Sequence, residues 1–424
     1  MTTLAATTTL LDALEAANAD LHCFITIDHA GAIAAADAAD ARRVRGQSLG
    51  PLDGVPVAIK DNLDTAGVRT TFGLGLYRER VPSTDAEVVR RLRAAGAVIV
   101  AKTNMTELAC GTVGVNVHYG DCRNPLDFAR YPGGSSSGSA AAVAADLVRH
   151  AIGTDTGCSI RHPASACGVV GFKPTFARTS NEGVSVCARG LDHVGPITST
   201  VADAADLLSV IQQAGFDDPR AMLGTPVTGL RVARLSGDFL AHCRLDVLAA
   251  FEPAAALIES LGAHVEDLDL GYGLHAIDDV ANVLGADLFD EYGDLLGAAD
   301  RDAVGPDLWT WYDRYEETSP AAHAAAEREQ QQITATVHDR MAGWDLLISP
   351  TTRTGTGTFA EGAGEPCMMR MGNMSIWDLT GQPAITVPFG TCANGMPLGL
   401  QIIGRRGDDA RVLQLAAAVE AATS

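Results

Sequence analysis

Two clusters of small residues carry the chemical promise of this chain. They are Gly133-Gly134-Ser135-Ser136-Ser137-Gly138-Ser139 and Gly153-Thr154-Asp155-Thr156-Gly157-Cys158-Ser159. Turns of this composition present free backbone N–H groups. A phosphate-binding P-loop needs Gly-Lys-Ser/Thr at its end, and here Gly138 is followed by Ser139. A dinucleotide fingerprint needs G-x-G-x-x-G after a strand, which this glycine spacing does not fit. The remaining use is a serine nucleophile beside backbone donors for an oxyanion. A flexible Gly/Ser linker is the bland alternative, and the apolar flanks argue against it. A third residue type stands out upstream. Val55-Pro-Val-Ala-Ile-Lys60 reads as a buried strand ending on a lysine. Lysine in an apolar strand is costly unless paired or deprotonated. Snorkelling to an edge, or pairing with Asp61, is the structural alternative, and the residues alone leave the two open.

The clusters resemble the amidase signature family of serine hydrolases. Its pattern is Gly-Gly-Ser-Ser-Gly-Gly-Ser, a helix, then Gly-Thr-Asp-Thr-Gly-Gly-Ser-Ile-Arg-x-Pro-Ala. The likeness continues in Asp53-Gly-Val-Pro-Val-Ala-Ile-Lys60-Asp-Asn, Lys102-Thr-Asn-Met, Asp192-His-Val-Gly-Pro196, Trp344-Asp-Leu-Leu-Ile-Ser-Pro350-Thr and Gly381-Gln-Pro-Ala-Ile-Thr-Val-Pro388. It thus spans nearly the whole chain apart from residues 225–340 or so. The resemblance implies that Ser159 attacks, that Ser135 sits in a cis peptide and relays protons, and that neutral Lys60 is the base. Such a lysine needs its pKa lowered by burial or by nearby positive potential, for which the start of a helix over residues 137–147 is a candidate. A tight turn at Thr156, Gly157, Cys158 and Ser159 would aim their N–H groups at an oxyanion. Ala109 matches a position that lines the acyl site in the family, and simple packing is its bland reading. Gly134 and Arg161 are further candidate substrate contacts; Arg161 can instead pair with Asp155 and brace the loop.

Two departures from the pattern matter. Cys158 stands where the family has a second glycine, and Ser137 stands where glycine is common. A Cβ at residue 158 could shift the oxyanion turn, narrow the pocket or impair activity, and the thiol itself is an alternative nucleophile. His162 and His193 are the competing bases for Ser-His-Asp chemistry, which only geometry can recognise.

These residues need a scaffold. The run over residues 140–151 is alanine-rich without glycine or proline and reads as a helix, with serines before it as N-caps. Further helices are expected over residues 7–17, 32–44, 88–95, 201–214, 246–261, 373–380 and 408–422. Strands are expected over residues 24–27, 98–101, 230–235, 344–350, 384–387 and 399–403. Residues 355–365 read as a mobile glycine-rich loop. Residues 271–330 read as helical and dotted with aromatics, where the resemblance implies a variable substrate funnel over about residues 225–340; packing between helices is the commoner fate of such rings. Helix–Gly–strand alternation favours an α/β architecture. With no Pro/Ser-rich linker or repeat, the expectation is a single large domain over residues 1–424: a central mixed β-sheet flanked by helices on both faces, its signature core at about residues 50–200.

Bulk properties narrow the partners. At 424 residues and 47% hydrophobic content the chain can bury a large layered core. Its formal net charge of −21 argues against nucleic acid and anionic membranes. No apolar run of about 18 residues exists, and residues 1–20 do not read as a signal peptide. Nine scattered cysteines fit a reducing cytoplasm better than a disulfide framework or a zinc site. The expected activity is hydrolysis of a small carboxamide or ureido-type C–N bond, with no metal or organic cofactor. A symmetric homodimer is expected from size alone. The alternatives are an A-type component of an amidotransferase, transferring ammonia to an acyl acceptor, and a non-hydrolytic member.

Overall fold

The computed structural model describes residues 2–271, 274–316 and 318–423, with the side chains of 274–285, 314 and 368 also left out of the description. Eleven described strands form one sheet. They are β1 (Phe24–Ile27), β2 (Pro56–Lys60), β3 (Val98–Thr103), β4 (His150–Asp155), β5 (Val170–Lys173), β6 (His193–Thr198), β7 (Arg231–Leu235), β8 (His264–Leu268), β9 (Leu346–Pro350), β10 (Ala384–Thr391) and β11 (Pro397–Gly404). The spatial order is β1-β3-β2-β4-β6-β5-β10-β11-β9-β7-β8. β3, β2 and β4 run parallel, as do β9, β7 and β8, while β4-β6-β5-β10-β11-β9 is antiparallel. The sheet is therefore mixed, as the alternation of elements implied.

Period-two alternation sends neighbouring side chains to opposite faces. Val57 and Ile59 enter one apolar layer with Val232, Ile348 and Ile402. Ala58 faces the other way, into a layer with Ala140, Ala141 and Ala142 of helix Ser137–Ala144. At the far end Ala233, Leu347 and Ile403 also face that way, into a cluster with Tyr292, Trp309, Tyr312 and Tyr315. Helices therefore cover both faces of the sheet, in the single-domain α/β arrangement expected.

Three local expectations give way. The helix expected over residues 140–151 stops at Ala144, and Asp146 turns left-handed at φ 55. Residues 150–155 instead pair with β2 and β6, because ladder hydrogen bonds and burial outweigh alanine's helix preference. The helix expected over residues 246–261 breaks into Leu245–Phe251 and Pro253–Ser260, with Pro253 in the first turn where its missing N–H does no harm. Within the expected mobile loop, Phe359–Gly364 is helical behind a capping box of Thr358 and Glu361, a Thr-x-x-Glu signal present in the sequence. In residues 271–330, helices Leu274–Gly297, Pro306–Glu316 and part of Pro320–Met341 account for the helical expectation. Residues 272, 273 and 317 of that region lie outside the described residues. Its rings pack on one another, with Trp309 edge-on to Tyr312 at 5.3 Å and Trp311 stacked on Tyr315 at 5.7 Å.

Candidate active site

Lys60 ends β2 on the same face as Ala58, toward helix Ser137–Ala144. It is completely buried. Its Nζ donates to Thr154 Oγ1 at 2.7 Å, sits 3.5 Å from Thr154 O, and lies 2.8 Å from Ser135 Oγ. Asn62 Nδ2 donates to the same Thr154 hydroxyl at 3.1 Å. Among the described residues Lys60 forms no ion pair. Burial therefore pushes its pKa down from 10.5 to about 7, against a smaller upward pull from Cys187, Asp155, Asp192 and Cys158. A neutral amine has two N–H groups and one lone pair. In that form Nζ can donate to two of its three oxygen neighbours and accept from a hydroxyl.

The Gly134–Ser135 peptide is cis. The following residue, Ser136, stitches the two clusters together. Its N–H donates to Ser159 O at 3.3 Å, its hydroxyl donates to Thr154 O at 3.2 Å, and Thr154 N–H donates to Ser136 Oγ at 3.3 Å. Helix Ser137–Ala144 can approach this closely because Gly138 has no side chain. A Cβ there would run into Cys23 O and stand 2.5 Å from Asn104 N. Gly134 is confined too, though less tightly, since its Cβ would lie 3.0 Å from Gly111 O. The loop after Ala109 thus presses against the cis peptide. Ala109 itself is half-buried with a left-handed φ of 62.

The second cluster leaves β4 at Asp155 and turns through residues 156–159. Asp155 accepts hydrogen bonds from the N–H groups of Ile160 at 3.1 Å and Arg161 at 3.3 Å, fixing the far side of the turn. The N–H groups of Thr156, Gly157, Cys158 and Ser159 have no acceptor among the described residues. Buried amides are almost always paired, so four successive N–H groups without a protein acceptor stand out in this turn. Ser159 is 9% exposed, whereas Ser135 is wholly buried. Thr156 is held by its hydroxyl, which donates to Asp192 Oδ1 at 2.6 Å. Asp192 also accepts from the N–H groups of Cys187 and Ala188, and burial raises its pKa to about 6.

Cys158 does not use the backbone freedom of glycine. It is absent from the described non-glycine residues with left-handed φ. Its side chain is 1% exposed and packs against Met371 and Met374, with Sγ 3.9 Å from Gly134 O. Burial pushes the thiol well above its ordinary pKa, which opposes thiolate chemistry.

Arg161 is placed where it braces, and the expectation of a substrate contact gives way. Its side chain is 0% exposed. Nε and Nη2 donate to Asp155 at 2.9 and 3.1 Å, Nη2 also donates to Asp378 at 2.5 Å, and Nη1 donates to Met374 O at 3.0 Å and Gln401 Oε1 at 2.9 Å. All five guanidinium N–H groups are engaged, so no fork remains for a substrate carboxylate. Neither histidine takes a base position. His162 is buried and held neutral, its pKa pushed down to about 3 by burial. His193 Nδ1 contacts Leu191 O at 2.5 Å and its Nε2 faces Lys173 Nζ at 3.3 Å.

Sequence reasoning passed over Thr154, Asn62, Asp192 and Asp378. Thr154 and Asp192 stand inside the conspicuous stretches but adjoin more familiar residue types. Asp378 lies more than 200 positions from its partner, with no local signal. Among the described residues no helix is long and apolar enough to cross a membrane.

Comparison with known proteins agrees with this architecture. The family profile described as Amidase matches residues 5–413. The A-type component of the glutamyl-tRNA(Gln) amidotransferase from Moorella thermoacetica is 36% identical over 99% of this chain and 93% of its own length. A solved chain from a vestigial protein complex, one that bears on the evolutionary origins of an s-triazine catabolic enzyme, superposes with TM-score 0.93 at 30% identity, covering 100% of this chain and 95% of that one. The native peptide amidase of Stenotrophomonas maltophilia gives TM-score 0.85 at 28% identity, covering 100% and 94%. Relatives thus include both amidases and a protein named as one component of a larger enzyme. With its two serine clusters joined through a buried lysine and a cis Gly134–Ser135 peptide, the chain belongs to the Amidase family, among the amidase signature enzymes.

Proposed function

We propose that the protein hydrolyses the C–N bond of a small carboxamide through an acyl-enzyme on Ser159. The observation that carries this reading is a buried lysine with no ion-pair partner among the described residues, its pKa near 7, set 2.8 Å from Ser135 Oγ. Neutral Lys60 accepts the proton of Ser135, and Ser135 takes that of Ser159 as its Oγ attacks the substrate carbonyl carbon. The oxyanion that forms faces the free N–H groups of residues 156–159, where one donor is typically worth about 3 kcal/mol. Collapse breaks the C–N bond. The proton returns from Lys60 through Ser135 to the departing nitrogen, which leaves as ammonia or an amine. Water, deprotonated by the same relay, attacks the acyl-Ser159 ester and releases the acid. Asp155, Arg161 and Asp192 are positioning residues: they hold the turn and touch no reacting atom.

Incubation of the purified chain with short aliphatic, aromatic and ureido amides tests this. The expected result is ammonia release together with an acid-quenched acyl adduct on the peptide that carries Ser159. An adduct on Cys158 instead would overturn the serine assignment. A second reading has specific support in the relatives named as A-type components of glutamyl-tRNA(Gln) amidotransferases. There the chain would free ammonia for an acyl acceptor held by a partner. Ammonia release by the lone chain favours the hydrolase; release only when a partner protein is added favours the transferase. The acidic balance of the chain, −21, weighs against direct contact with tRNA.

A further inference from the structure

Resting on the hydrolase reading, we propose that Met371 limits the size of the acyl group Ser159 accepts, and that the substrates are amides of short aliphatic acids. Gly157 lies in the middle of the turn whose N–H groups are free. A Cβ built on Gly157 would stand 2.6 Å from Met371 Cε, so the methionine methyl already rests on that turn. Met371 is 8% exposed. It shares a small apolar cluster with Cys158 and Met374, and Cys367 Sγ lies 3.1 Å from its sulfur. The other atom near that point is Ser375 Oγ, at 3.6 Å, whose hydroxyl is turned to Met371 O at 3.3 Å. The group that rests on Gly157 is therefore a thioether methyl, soft and apolar, which suits an unsubstituted alkyl group.

The wall is anchored rather than loose. Met371 ends helix Cys367–Met371, and the preceding residue, Arg370, is 4% exposed. Arg370 Nε donates to Thr112 Oγ1 at 2.8 Å, and its Nη1 donates to Gly362 O at 3.0 Å and Glu365 Oε2 at 3.2 Å. Thr112 belongs to the loop that presses on Gly134, the residue before the relay serine. One guanidinium therefore joins the segment carrying Met371 to the loop lying against the cis peptide. With its backbone held on two sides, only the side-chain torsions of Met371 can give way. A small acyl group fits beside the methyl, whereas a longer one must push it off Gly157.

The test compares ammonia release from acetamide, butyramide and hexanamide by wild type, Met371→Ala and Met371→Phe, with a fluorophosphonate probe of Ser159 run in parallel. Wild type is expected to prefer acetamide. Met371→Ala should raise the hexanamide-to-acetamide ratio of kcat/KM by at least about tenfold, the scale set by methylene groups in an apolar pocket, and Met371→Phe should lower it. The two variants push the ratio in opposite directions, so a failure of one to fold leaves the other decisive. A ratio that stays at the wild-type value in folded, probe-reactive variants overturns the size limit alone. Wild type that releases no ammonia and takes no probe overturns the hydrolase reading and this inference with it.

Discussion

Two buried cations near the serine clusters are treated by the protein in opposite ways. Arg161 is clamped by Asp155 and Asp378, and all its donors are used. Lys60 is equally buried, but among the described residues it meets only hydroxyl and carbonyl oxygens. Burial alone disfavours charge in both. Carboxylates reverse that for Arg161, whose pKa rises above its ordinary value, and the guanidinium in turn holds Asp155 well below the usual carboxylate range. Nothing comparable adjoins Lys60, so its charge is the one that yields. The difference separates a structural cation from a candidate base, and it lies in partners rather than in burial.

The largest effect is expected at the proposed nucleophile. Ser159→Ala should lower kcat by about a millionfold, as loss of an attacking hydroxyl does in serine hydrolases. Ammonia release that stays within tenfold of wild type would move the attack to another residue. Lys60→Met should cost about a hundredfold to ten-thousandfold in kcat, the usual range for a general base. It should leave thermal stability unchanged or raised, because it exchanges a buried amine for an apolar side chain of similar length. A fall in stability without a fall in turnover would make Lys60 structural. Arg161→Met should do the reverse. Removing one partner of a buried ionic network typically costs about 3–5 kcal/mol, readable by urea unfolding. An Arg161→Met variant as stable as wild type would end the bracing role.

The pH profile sharpens the same contrast. The folded pKa of Lys60 is lowered, so the ammonium form takes over as pH falls through about 7. Its lone pair is then lost, and kcat/KM should fall about tenfold for each further pH unit on that acidic side. A profile flat from pH 5 to 8 would exclude a lysine base with this pKa. The smallest effect serves as a control away from both cations. Thr358→Ala removes the N-cap of helix Phe359–Gly364 and should cost about 1 kcal/mol of stability with turnover little changed.

Local patterns were legible where each residue's own chemistry spoke. The strand ending on Lys60, the turns around Ser135 and Ser159, and most helices are readable from apolar spacing, glycine and serine. Other features were not. Alanine preference carried a helix across residues 145–151, where the chain instead turns after Ala144 and enters β4 at His150, since propensity is weak against a buried ladder. Pro253 marks a helix start as well as a first-turn position, so one helix became two. The Thr-x-x-Glu signal at Thr358 was readable but was masked by its glycine neighbours.

By itself, then, the sequence determined the chemical inventory: a lysine on an apolar strand, two serine turns, an acidic surface balance and a family pattern running along nearly the whole chain. Tertiary structure alone decided how that inventory is used. It gave Lys60 hydroxyls and Arg161 carboxylates, turned Cys158 into a packing residue, and laid Met371 on Gly157. Ionisation and pocket shape depend on neighbours brought from distant parts of the chain, and a residue's type carries no record of who those neighbours are.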